Sequence, residues 1–452
     1  MSQIKASQHE PAIQLTSIAI EENQATGIAT PRTYHQEATT QAQTISHKSG
    51  IASATEQTSS TVELGNGIEE IEVENGNSNT VREDDQEYPE KNIKGWLVVF
   101  GAFCGLIPCW GIPNSIGVIQ TQLLEHELKD VSTTTVSWIF SIFIGLTMGC
   151  SIFSGAYFDR NGARGPLIAG SLISVGSLLA LGNCTEVYQF ILSFAVGVGG
   201  GASIVTPALM GSVAQHFPKH KTSTVMSIAA TGGSFGGVMF PAMLTKAYQT
   251  LGFQWSMRCV ALISFVCLCI SCVLVKEKQL PEKENLNTKG KLKLYLFKSF
   301  DLKAVVTDKR YFFNVCGCTL AEIAITITSG YFSFITVKSG FTESHSFLLV
   351  TVMNIFAVFG RYLSGYIADK SIGTFATLIS LLLITGTLDL VIWLPFKSNN
   401  VGLWVYAVLY GFFFGGILSL LPSACSHIVR ADEFGARYAT MYGIAEMMVL
   451  LV

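Results

Sequence analysis

The chain of 452 residues is 49% apolar and only 13% charged, about half the charged share of an ordinary soluble protein. Its formal net charge of −3 joins an acidic amino-terminal stretch to a net basic remainder, which does not make the dense basic face of a nucleic-acid binder. No nucleophile–base pair, phosphate-cradling loop or set of metal ligands stands out, so the chain reads as a non-enzyme without metal or cofactor.

Residues 1–90 are rich in Ser, Thr, Gln, Asn, Glu and Gly and show no apolar period. Glu69, Glu70, Glu72 and Glu74, then Glu83, Asp84, Asp85 and Glu87, form an acidic run. Such a segment cannot bury enough surface to fold and is expected to be a disordered cytoplasmic tail. A kinase, or a ubiquitin ligase acting on Lys5 or Lys48, is its expected partner; an unselected spacer is the alternative. The first twenty residues lack the apolar core of a secretory signal, so the first span is expected to direct insertion.

Apolar runs long enough to span a bilayer follow, at 95–119, 132–157, 165–184, 187–211, 222–249 and 255–275. They resume at 311–337, 343–367, 373–395, 401–424 and from 437 onward. This predicts an all-α polytopic membrane protein with an amino-terminal six-helix half at 95–275, a cytoplasmic central loop at 276–310 and a carboxy-terminal half at 311–452. The eleventh span reaches only Val452, so the chain is expected to be truncated within it, with a span and a half missing. Gly197, Gly199, Gly200 and Gly201, and Gly232, Gly233, Gly236 and Gly237, sit inside spans, where small residues let helices touch backbone to backbone. The eleven cysteines lie almost wholly within apolar runs and read as small apolar filler, not as a disulfide framework. Arg160, Arg164, Lys219, Lys221, Lys370, Arg430, Arg437 and the lysines of the central loop fall on one side, which places the amino terminus in the cytosol.

One polar pattern occurs twice. Gly155 to Arg164 reads GAYFDRNGAR, and Gly365 to Gly373 reads GYIADKSIG, each as a short loop between apolar runs. Gly155 matches Gly365, Asp159 matches Asp369, and Arg160 matches Lys370, which indicates two related halves lying parallel in the membrane. Gly155 permits close helix approach, Gly162 permits a turn with positive φ, and Asp159 suits a helix amino terminus. These motifs resemble the loops between spans two and three, and between spans eight and nine, of the major facilitator superfamily. The resemblance implies a secondary transporter of twelve helices, with Gly155, Asp159, Arg160, Gly162, Arg164, Gly365 and Asp369 forming the cytoplasmic gating latch.

Ionisable groups inside spans are costly and mark functional candidates. Glu322 lies in the seventh span, Arg361 in the eighth, Arg258 in the sixth and Asp389 in the ninth. Arg258 and Asp389 have a ready alternative in snorkelling to an interface. Glu322 and Arg361, on neighbouring helices, are functional candidates, with pairing across the cavity as the structural alternative. The first span from Trp96, the FQWSMR stretch with Trp255 and Arg258, the TGGSFGGVMFP stretch and Gly360–Arg361 resemble the monocarboxylate porter family. Animal members carry a lysine at the place of Asn114 and an aspartate at the place of Ala357, so the resemblance leaves the proton-relay set incomplete here. FSGAYFDRNGAR, LYGFFFGGILSLLP and EFGARYATMY resemble the fungal branch of that family that includes plasma-membrane riboflavin transporters. That implies facilitated diffusion of a small, neutral, aromatic solute across the plasma membrane, with the vacuolar membrane as the alternative location. Asn114, Glu322 and Arg361 are then expected to line the substrate cavity. Proton-coupled monocarboxylate transport and a transporter-like nutrient receptor are the rival readings.

Overall fold

The computed structural model describes residues 92–278 and 302–451; the tail at 1–90 and most of the expected central loop lie outside the described residues. Among the described residues every regular element is helical. The long helices are α1 (Ile93–Glu127), α2 (Thr133–Asn161), α3 (Arg164–Leu181) and α4 (Val187–His216). The run Lys219–Leu274 is broken at Gly252, where φ is 74°, and so makes two antiparallel spans, α5 before the break and α6 after it. Then come α7 (Lys309–Lys338), α8 (Ser344–Ile372), α9 (Thr374–Phe396), α10 (Asn400–Ile428) and α11 (Phe434–Leu451).

Local chemistry explains five of the eleven helix starts. Asn92, Ser132, Asp308, Thr342 and Asn399 each accept a hydrogen bond from a backbone N–H in the first turn of the following helix. The outward faces stay apolar, as at Leu172, Leu192, Leu262 and Leu383, because lipid takes the place of a packed neighbour there.

Three expectations change at the helix ends. The Gly155–Arg164 pattern is not a loop: α2 stays helical through Asn161 and only Gly162 and Ala163 join it to α3. The second copy is likewise helical to Ile372, with Gly373 alone as the joint. Gly162 has φ 85° and Gly373 φ 84°, a backbone region that L side chains rarely adopt. The eleventh helix starts at Phe434, before the predicted 437, because Arg437 does not need to leave the helix to be satisfied. Its guanidinium meets Glu433 at 2.8 Å and Asp308 at 3.6 Å. Lys309 and Arg310, predicted in the central loop, open α7.

Within the first half, α1 packs on α4 and on the Lys219–Leu274 run, α3 on α4, and α2 on α4; within the second, α8 and α9 pack on α10 and α7 on α11. The halves meet where α2 touches α11 and where the Lys219–Leu274 run touches α8 and α10. The apolar core is divided unequally. One cluster joins both halves, running from Val98, Phe158, Phe217 and Val225 to Tyr311, Val429 and Phe434 at one end of the bundle. At the other end the core splits into one cluster within residues 107–261 and another within residues 332–410. The buried apolar core therefore runs unbroken across the two halves at one end, the sealed end; at the other the halves touch more sparsely, as where a Cβ on Gly117 of α1 would lie 3.3 Å from the Phe347 ring of α8.

Close approach of α1 and α5 sets the base of this arrangement. A Cβ on Gly236 would lie 2.9 Å from Gly111 Cα, a backbone atom that cannot step aside. Gly236→Val is expected to separate the two helices at a cost of about 1–3 kcal/mol. In detergent-solubilised protein this should appear as a lowered thermal midpoint and a loss of the monodisperse peak on gel filtration. Gly317→Val is the control, since a Cβ there meets nothing within 4 Å. Equal behaviour of the two variants would refute the packing argument.

Candidate functional site: two clasps and a buried arginine

The sealed end carries two matching clasps. Asp159, in the last turn of α2, accepts hydrogen bonds from Gly435 N at 2.8 Å and Ala436 N at 2.7 Å, the free amides that open α11. Asp369, in the last turn of α8, accepts from Ser223 N at 3.1 Å and Thr224 N at 2.6 Å, near the start of α5. Each carboxylate thus neutralises the positive end of a helix in the other half. The glycines one turn earlier permit the approach: a Cβ on Gly155 would meet Gly435, and one on Gly365 would lie 2.8 Å from Ser223 O. Around the second clasp, Ser223 Oγ lies 2.8 Å from Thr374 Oγ1, 2.8 Å from Ser423 Oγ and 3.3 Å from His427 Nε2. Arg160 is half-buried beside the first clasp, while Arg164 is exposed at the start of α3.

About 12 Å further along α8 from Asp369, at 1.5 Å per residue, stands Arg361. It is only 4% exposed. Small residues beside it set its direction. Ala357 and Gly360 lie flat against Gly415 and Phe412 of α10, which turns Arg361 toward the first half. Its Nε donates to Ser234 Oγ of α5 at 2.9 Å, and its guanidinium carbon lies 5.8 Å from the ring centre of Trp110 on α1. Its Nη1 is buried without a hydrogen-bond partner. A charged donor left open at that depth is costly unless a ligand or water completes it.

Glu322, on α7, is also buried, at 7% exposure, and close enough to Arg361 for their charges to attract. The alternative of a direct pair is not realised: no ion pair joins them among the described residues, because Arg361 is turned toward Ser234 and Trp110. Glu446 of α11 lies close enough to Glu322 for their charges to repel, and its Oε2 is buried without a hydrogen-bond partner. Asn114 lies one turn from Trp110 on α1 and is exposed between the halves; its Nδ2 donates to Trp110 O.

The structure brings Asn114 and Arg361 to one interface and sets Glu322 behind it. It does not bring Trp96, Trp255 or Arg258 there. Trp96 packs edge-on against Phe217 at the sealed end. At the opposite end, Arg258 stacks 4.6 Å over Trp255 and reaches Asn183, as a snorkelling side chain does. Asp389 accepts from Tyr406 OH at 2.6 Å within the second half. Sequence reasoning missed Trp110, Ser234 and Asn354, neutral groups with no charge to flag them. It also missed a second repeat, Ser212 and His216 ending α4 against Ser423 and His427 ending α10.

A helical membrane protein of two matched halves, clasped at one end and holding a buried arginine between them, belongs to the class of two-domain transporters. The profile of the Major Facilitator Superfamily matches residues 97–451, and the chain belongs to that family. It is 36% identical over 421 residues to the riboflavin transporter MCH5 of Saccharomyces cerevisiae, covering 88% of this chain and 80% of that protein. It is 31% identical over 370 residues to the aspyridones efflux protein apdF of Emericella nidulans, covering 81% of this chain and 71% of that one. Among solved structures it is similar in fold to the human organic anion transporter MFSD10, with a TM-score of 0.62, 15% identity and coverage of 80% of this chain and 92% of the other. FucP in its outward conformation matches at a TM-score of 0.60 and 14% identity, over 78% of this chain and 91% of that one.

Proposed function

We propose that the protein carries a small, planar, neutral solute of the riboflavin type across the plasma membrane by facilitated diffusion, through alternating access of its two halves. The observation that carries this reading is the company Arg361 keeps. Its contacts across the interface are a hydroxyl, Ser234, and an aromatic face, Trp110, with the amide of Asn114 one turn away. Such groups suit a flat, uncharged ring system better than a charge relay. The similarity to a riboflavin transporter over most of the chain supports the same substrate class.

The lysine and arginine distribution assigns the sealed end to the cytosol. The present arrangement is then the outward-facing one, with Asp159 and Asp369 holding the cytosolic gate shut. Substrate binding between α1, α5 and α8 precedes release of those clasps, and the halves rock to open the cytosolic side.

A second reading, proton-coupled transport of a monocarboxylate, is favoured by one observation: the buried carboxylate of Glu322 beside Arg361. pH separates the two. A neutral flavin and a site that exchanges no proton should give riboflavin uptake that varies less than about twofold between external pH 5 and 7. The assay uses cells without their own flavin and lactate uptake, and growth at low riboflavin should be restored. Lactate accumulation that rises at acid pH and is abolished by Glu322→Gln would replace the first reading with the second.

A further inference from the structure

The side chains of Asn114, on α1, and Asn354, on α8, meet at Gly237 of α5. A Cβ built on Gly237 would lie 3.0 Å from Asn354 Oδ1 and 3.1 Å from Asn114 Cγ, so the two carboxamides flank one point. The bare backbone of Gly237 leaves the space between them. They come from opposite halves of the molecule.

Each carboxamide gives its N–H to its own helix. Asn114 Nδ2 donates to Trp110 O at 2.7 Å, and Asn354 Nδ2 donates to Val350 O at 3.1 Å. That turns the two Oδ1 atoms into acceptors, and neither receives a hydrogen bond from a described residue. Asn354 is only 5% exposed, and its oxygen, left without a partner by the protein, stands open to a donor. On the same faces of α1 and α8, one turn and two turns toward the sealed end, stand the opposite groups. Trp110 Nε1 and Arg361 Nη1 are buried donors without partners. The interface therefore offers acceptors at one level and donors at the next, beside the flat face of Trp110.

Resting on the reading of a flavin-type carrier, the geometry points to a cyclic imide as the group this site recognises, with Asn354 and Asn114 as its specificity-determining pair. The ring N–H of the imide donates to the paired amide oxygens. The flanking ring carbonyls accept from Arg361 and Trp110. A carboxylate has no N–H to give and leaves both acceptors unpaired, so the pair selects against it. Because the pair takes one residue from each half, a ligand that engages both oxygens bridges the halves. Recognition and domain closure are then one event.

The test uses the purified full chain in detergent with two probes, riboflavin and its N3-methyl derivative, read by quenching of flavin fluorescence. Methylation removes the imide N–H and leaves the carbonyls. The unaltered protein is expected to bind riboflavin roughly ten- to a hundred-fold more tightly than the methyl compound. Asn354→Ala should lower riboflavin affinity to the level of the methyl compound and leave the latter's affinity unchanged. Asn114→Ala, at an exposed position whose loss does not endanger folding, should do the same. Equal affinity for the two probes in the unaltered protein, or undiminished discrimination in both variants, would overturn imide recognition while riboflavin binding keeps the carrier reading alive. If neither flavin binds, both readings are overturned.

Discussion

Arg361→Gln should fold and yet bind substrate roughly ten- to a hundred-fold more weakly, the equivalent of about 1.5–3 kcal/mol for a hydrogen bond to a charged group. The glutamine keeps a polar tip but loses the guanidinium plane over Trp110, the Nε bond to Ser234 and the open Nη1 donor. Arg361→Lys should fail to rescue. A lysine keeps the charge as a single point, without the rigid fork that serves Ser234 and a ligand at once. Equilibrium binding of labelled riboflavin, with gel filtration to show that the variants are folded, gives the result. Affinity that survives in a well-folded Arg361→Gln protein would remove Arg361 from the site and leave it as a link between α8 and α5.

Asp159→Asn together with Asp369→Asn should slow uptake strongly while leaving binding nearly intact. Each substitution keeps an acceptor but removes the charge at a helix amino terminus, which costs the clasped state about 1 kcal/mol. Two independent clasps then sum to about 2 kcal/mol, roughly a thirty-fold shift away from the closed cytosolic gate. The single variants should each show about the square root of that shift, since the clasps sit on different helix pairs and share no residue. Spin labels at Asn161 and Asp432, on either side of the first clasp, read the gate directly. The double variant should add a population at longer distance. A distance distribution that stays unchanged while uptake falls would mean that the carboxylates do not hold the gate. Loss of binding with normal turnover of bound substrate would place them at the substrate site instead.

Much of this architecture is legible in the order of residues. Span length follows from bilayer thickness, so the apolar runs announce the helices whatever their partners. The matching Gly155 and Gly365, and Asp159 and Asp369, reveal two related halves, because a repeat is a property of the chain alone. Sequence also marks Arg361, since a charge in an apolar run is conspicuous. It does not say whom that charge faces. Glu322 looked like its natural partner from helix adjacency, yet rotation of α8, set by Ala357 and Gly360 against α10, turns Arg361 to Ser234 and Trp110.

The clasps divide in the same way. That Asp159 favours a helix amino terminus is general chemistry; that the terminus belongs to α11, hundreds of residues away, is set by how the halves pack. Asn354 carries no mark at all in sequence, being one amide among many, and Gly237 is marked only as one of a cluster of packing glycines. Their meaning comes from the meeting of α1, α5 and α8, where side chains from distant positions share one small volume. The chain by itself determined which segments enter the membrane and that they form two equivalent sets, because hydropathy and repetition are local quantities. Only the tertiary structure decided which end is sealed and which polar groups meet between the halves, because both depend on helix rotation and on contacts between residues remote in sequence.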